Sequence, residues 1–242
     1  MTIRLIPLKT LSGPANMAAD EVMLAAAERG TATLRFYEWS EPTLSLGYFQ
    51  NAAERLNDPL LRDLAWVRRP SGGGAILHHY ELTYCLAVPA GTPWHTRESW
   101  ICRFHHLIAT SLLSFGVDAR PVVCGNEKNL GDFLCFQHQT PADLLIGGSK
   151  IAGSAQRKRH GAIMQHGSIL LRQSEFTPAL PGIGEQAGKE ITPMELSESL
   201  VEVLQQATGW QVDEATFTDD ESREIEMIVR EKYGSTEWNE KR

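Results

Sequence analysis

The chain has no run of about eighteen apolar residues, so nothing in it predicts a membrane-spanning helix. Its start, MTIRLIPLKT, lacks a basic stretch followed by a long apolar core, so no secretory signal is expected. Cysteine is scarce: Cys85, Cys102, Cys124 and Cys135 are the whole set, with no CxxC pair and no zinc-finger spacing. No HxxxH or HExxH pattern occurs, so no metal site is expected. An excess of basic charge is also missing. The formal charge is −7, which argues against bulk nucleic-acid binding. Together these absences predict a cytoplasmic protein with free thiols.

What remains is ordinary globular material. With 242 residues, 42% of them hydrophobic, the chain can fill one large domain or two unequal ones. Strands are predicted over residues 3–8, 33–39, 43–48, 65–69, 75–78 and 82–88, and later over 119–123, 142–146, 150–155 and 162–171. Helices are predicted over 16–29 and 97–115, with Gly30 and Gly116 as stops, and over 193–208 and 219–233. Helices and strands mix without regular βαβ alternation. The expected class is therefore α+β, with a mixed, largely antiparallel central sheet flanked by helices. Residues 1–190 are expected to form the main domain. Residues 191–242 are expected to be a C-terminal helical extension packed on it.

Three segments could carry chemistry. RRPSGGGAILHH spans Arg68 to His79. Its consecutive glycines let backbone N–H groups approach an anion or a carbonyl oxygen, and Arg69 could bind a carboxylate or phosphate. A plain hairpin loop with two solvated arginines would read the same way. GGSKIAGSAQ places Lys150 among small and apolar neighbours, where desolvation would favour proton exchange. A strand-end lysine that reaches water is the simpler alternative. Arg157, Lys158 and Arg159 read as an exposed loop that could dock an acidic partner. Finally, Cys135 in GDFLCFQHQ lies among loop formers, whereas Cys85 and Cys102 fall within a strand and a helix. A loop cysteine becomes a nucleophile if a nearby cation stabilises its thiolate; otherwise it is structural.

Taken together, RRPSGGGAILHH, ELTYCLAVP, GGSKIAGSAQ and QHGSILL resemble the lipoate-protein ligase and octanoyltransferase family, which is similar in fold to biotin protein ligases. The resemblance runs from about Asn16 to Leu171. It implies a catalytic domain over 1–190, with an acyl chain in an apolar tunnel near the glycine loop. Cys135-Phe136, fifteen positions before Lys150, resembles the cysteine-type transferase branch. That branch implies octanoyl transfer from acyl carrier protein, through a Cys135 thioester, to a lysine of a lipoyl domain or glycine-cleavage H protein. Lys150 would be the partner of Cys135. Arg69, Gly72, Gly73, Gly74, His78, Gly153, Ser154 and His166 would line the substrate site. No cofactor is implied, and a monomer is expected. The ligase branch would instead use ATP and magnesium to make lipoyl-adenylate. Two positions depart from the transferase pattern: Gly74 gives a GGG loop as in ligases, and His79 stands where the family usually has aspartate.

Overall fold

The computed structural model describes residues 1–92 and 98–242. An eight-stranded sheet organises the molecule. Its first strand, β1 (Thr2–Leu11), leads into helix α1 (Gly13–Glu28) and strand β2 (Thr33–Trp39). A small sheet follows, built from β3 (Thr43–Leu46), β4 (Ala65–Arg68) and β5 (Ile76–His78). The chain then returns to the large sheet as β6 (Glu81–Val88) and crosses one face as α2 (Trp100–Ser114). The expected start of α2 at Arg97 lies outside the described residues.

Short strands β7 (Arg120–Pro121), β8 (Lys128–Asn129) and β9 (His138–Gln139) precede β10 (Leu144–Ile146). A long hairpin, β11 (Ser149–Arg159) and β12 (Ala162–Leu170), follows. The chain continues through α3 (Ile183–Ala187), α4 (Pro193–Thr208), strand β13 (Gln211–Glu214), α5 (Asp219–Ile228) and α6 (Thr236–Asn239). The large sheet has the order β13-β1-β2-β6-β12-β11-β10-β7. β1 is parallel to both of its neighbours, and the remaining pairs are antiparallel. The α+β class with a mixed, largely antiparallel sheet is therefore what the chain adopts.

Burial explains the patterning. Both faces of β6 are covered, so it reads as a continuous apolar run. Leu82, Tyr84, Leu86 and Val88 pack with Phe104, Ile108, Leu196 and Leu200 under α2 and α4. Cys85 and Ala87 meet Met23, Leu24 and Ala27 of α1 on the other face. Helix α4 has the capping that its sequence dictates. Thr192 and Glu195 form a reciprocal box, Pro193 opens the first turn, and Gly209 closes the helix at φ 67°.

Four sequence expectations shift. The strand expected over 142–146 begins only at Leu144, because Ala142 turns at φ 76°. The strand expected over 119–123 shrinks to Arg120–Pro121. The helix expected over 219–233 is α-helical to Ile228 and ends in a wider π turn over Val229–Tyr233. The segment beyond residue 190 is not helical throughout: β13 adds a parallel edge strand to β1, pairing Ile3 with Val212.

Candidate active site

The glycine loop is held from within. Arg69 leaves the end of β4 buried, and its guanidinium donates to the carbonyls of Ser45 (2.8 Å), Gly72 (2.8 Å) and Gly74 (2.6 Å). This is a clasp on the loop, so most of the guanidinium that the sequence reading offered to substrate is already engaged. Burial lowers the Arg69 pKa to about 10, against the opposing pull of Cys135.

The loop in turn seats the cysteine. Ala75 N–H donates to Phe133 (2.8 Å) and Cys135 N–H donates to Ala75 (2.7 Å), so the Cys135 segment docks alongside Gly74. A methyl group on Gly74 would lie 2.9 Å from Cys135 N and 3.0 Å from the Phe133 carbonyl. The third glycine is thus required by the approach of the cysteine-bearing loop. Cys135 opens a short 3-10 turn, Cys135–Gln137, and its sulfur would sit 4.0 Å from a Cβ at Gly73.

Strand β11 brings Lys150 to the same place. Its Nζ lies 3.8 Å from Cys135 Sγ, 3.3 Å from the Cys135 carbonyl and 3.0 Å from the His138 carbonyl. A partner that the sequence reading did not weigh completes the set: Asp143 Oδ2 lies 2.7 Å from Nζ, and both side chains are almost fully buried. Thr140 fixes that carboxylate by donating from its N–H (2.8 Å) and its hydroxyl (2.9 Å). Lys150 is therefore surrounded by acceptors that solvate an ammonium, not only by small apolar groups. An acid in the otherwise apolar run Ala142 to Ile146 was the available signal.

A cavity of about 290 Å³ opens beside Cys135. It is near the small end of the roughly 300–1,000 Å³ usual for ligand sites. Met17, Ile76 and Phe136 supply apolar wall. Gly72, Gly73, His78, Gly153, Ser154 and His166 also line it, as does the edge of Arg69. Gly74 is not among the lining residues.

The polar wall groups are satisfied internally. His78 stacks on Trp39 at 3.8 Å between centroids and bonds Ser45 (2.8 Å) and Glu81 (3.0 Å). Burial pushes the His78 pKa down, against the pull of Glu81. Glu81 thus supplies an acid beside His78, while His79 turns to Ser174 and stacks on Tyr80. His166 bonds Ser71 (2.5 Å) and Asp20 (3.0 Å). Ser154 accepts from Tyr84 (2.5 Å) and donates to His105 Nε2 (2.6 Å), whose Nδ1 donates to the Ala142 carbonyl (2.6 Å). Burial lowers the His105 pKa. Asp20, Glu81, Tyr84 and His105 were all missed by sequence reasoning: each lies inside a regular element, and Asp20, Tyr84 and His105 meet partners far along the chain.

The basic triplet is not an exposed loop. It finishes β11: Arg157 donates to the Pro70 carbonyl (2.7 Å), Arg159 pairs with Glu28, and of the three only Lys158 is exposed. Among the described residues, no cluster of three or more metal-ligating side chains forms, and no helix is long and apolar enough to cross a membrane.

Residues 12–226 match the lipoyl protein ligase A/B catalytic domain. The chain belongs to that family. Within it, the chain is 32% identical to the octanoyltransferase LipM of Geobacillus kaustophilus, over 94% of each protein. It is 30% identical to the octanoyltransferase LipM of Bacillus subtilis, over 100% of this chain and 99% of the relative. Among solved structures, a putative lipoate protein ligase from T. acidophilum with bound lipoic acid superposes with a TM-score of 0.80. That match is 22% identical and covers 99% of this chain and 100% of the other, so the family fold extends over the whole molecule.

Proposed function

We propose that this family member is an octanoyltransferase of protein lipoylation. It moves an octanoyl (or lipoyl) group from acyl carrier protein, through a thioester on Cys135, to a lysine of a lipoyl domain or glycine-cleavage H protein. The observation that carries this reading is the 3.8 Å approach of Lys150 Nζ to the sulfur of Cys135, which lines the cavity. The near full-length likeness to LipM octanoyltransferases supports it.

In the first half-reaction the Cys135 thiolate, facing the Lys150 ammonium, attacks the donor thioester. Gly72 and Gly73 line the cavity beside Cys135, and their backbone N–H groups are assigned to the oxyanion. The carbon–sulfur bond to the carrier breaks, and the departing thiolate takes a proton from Lys150. In the second, the acceptor amine attacks octanoyl-Cys135, Lys150 recovers a proton from the attacking nitrogen, and the Cys135 thiolate leaves. An amide is more stable than a thioester, so the scheme needs no ATP, metal or other cofactor. Cys135, Lys150, Asp143 and the cavity all come from one chain, so a monomer suffices.

The test is a donor comparison read by mass spectrometry of a lipoyl domain. Octanoyl acyl carrier protein alone should modify it, and free lipoate with ATP and magnesium should not. Modification only in the second mixture would replace this reading with an adenylate-forming ligase.

A further inference from the structure

Ser71, His166 and Asp20 form a row. Ser71 Oγ lies 2.5 Å from His166 Nε2, and His166 Nδ1 lies 3.0 Å from Asp20 Oδ2. Asp20 is fully buried and also accepts from the Tyr37 hydroxyl (2.9 Å) and Arg35 (3.4 Å). In the neutral imidazole, a bond to the Asp20 carboxylate puts the proton on Nδ1, so that Nε2 presents a lone pair to the Ser71 hydroxyl. The same order of groups activates a serine in hydrolases. Here, however, Ser71 is 2% exposed and is not among the cavity-lining residues, whereas His166 is. A comparable row, Ser45–His78–Glu81, is more tightly locked, because Trp39 stacks on His78 and Arg69 also reaches Ser45 Oγ at 3.3 Å.

Proton balance gives His166 something to do. An acceptor lysine enters as an ammonium at neutral pH, since its ordinary pKa is about 10.4. On becoming an amide nitrogen it sheds two protons. One returns to Lys150, replacing the proton given to the carrier thiol. The second has no taker among Cys135, Lys150 and Asp143: Cys135 is acylated, Lys150 takes the first proton, and the Asp143 carboxylate is held by Thr140 and Lys150.

We propose that His166 is the general base for the aminolysis half-reaction. Its Nε2 leaves Ser71 and accepts the first proton from the acceptor ammonium. Asp20 steadies the resulting imidazolium, which then releases the proton to solvent. The neutral amine then attacks octanoyl-Cys135 as above.

This inference rests on the transfer reading, and the experiment separates the two. Octanoyl-Cys135 enzyme is prepared and discharged either with a lipoyl domain or with hydroxylamine, which is already unprotonated at neutral pH. His166→Gln and Asp20→Asn should each slow discharge to the lysine by about 10²- to 10⁴-fold, the usual contribution of a general base, and slow discharge to hydroxylamine far less. In the wild type, which avoids any folding defect of the variants, the solvent deuterium isotope effect should be larger for the lysine than for hydroxylamine. Equal slowing of both nucleophiles, equal isotope effects, or octanoyl recovered on Ser71 would overturn the assignment while leaving transfer intact. Failure to form octanoyl-Cys135 at all would overturn the transfer reading, and this inference with it.

Discussion

A methyl group on Gly153 would lie 2.6 Å from Cε and 2.9 Å from Nζ of Lys150, and 3.2 Å from Asp143 Oδ1. The glycine in the strand below the site is therefore space reserved for the ammonium. Gly153→Ala should push Nζ off the Cys135 sulfur. A displacement of about 1 Å at a reacting centre can cost on the order of 100-fold, so kcat should fall by about that much. Iodoacetamide alkylation of Cys135 should slow with it, while the melting curve remains cooperative.

Asp143→Ala removes the carboxylate beside Lys150 and leaves a buried cation unpaired. Breaking one half of a buried pair costs about 3–5 kcal/mol. Urea unfolding should show a loss of that size. In the double variant with Lys150→Met the loss should shrink, because the orphaned charge is gone.

Arg69→Lys tests whether this arginine is a clasp on the loop or a contact to substrate. A lysine cannot span the carbonyls of Ser45, Gly72 and Gly74 together. Stability should fall by about 1.5–3 kcal/mol, the range for a hydrogen bond to a charged group. Amide exchange should rise at Gly72 to Ala75. A raised KM with unchanged stability and exchange would instead mark a direct contact to substrate.

Burial holds the His78 and His105 pKa values below the ordinary histidine value in the folded protein. The unfolded chain therefore takes up protons first as the pH falls through about 6.5. The stability these neutral histidines contribute is fully present above that pH. It is lost progressively as the pH drops toward their folded-state values. Urea midpoints measured between about pH 8 and 5 should decline across this window. His105→Gln should flatten the decline.

Periodicity and capping residues made the helices and long strands legible, because those signals are local. Thr192-Pro193 and Gly209 bracket α4 at the expected residues. Strand β13 was not legible: Gln211–Glu214 is short, lies between two helices, and forms only by pairing with β1 some two hundred residues away. The site divides along the same line. Cys135, Lys150 and the glycines stand in motifs that carry a family resemblance. Asp143 reads locally as one acid in a short predicted strand, and only the fold of β10 against β11 sets it on Lys150. Asp20 sits in the middle of an alanine-rich helix, where nothing local distinguishes a solvated acid from one bonded to His166.

The central claim is that Cys135 carries the acyl group. The direct measurement is intact-protein mass spectrometry after brief mixing with octanoyl acyl carrier protein, followed by peptide mapping. The account predicts a mass increase of one octanoyl group, localised to Cys135 and discharged on adding a lipoyl domain, and neither adduct nor transfer with Cys135→Ser. Full transfer activity in Cys135→Ser, or an adduct on another residue, would contradict it.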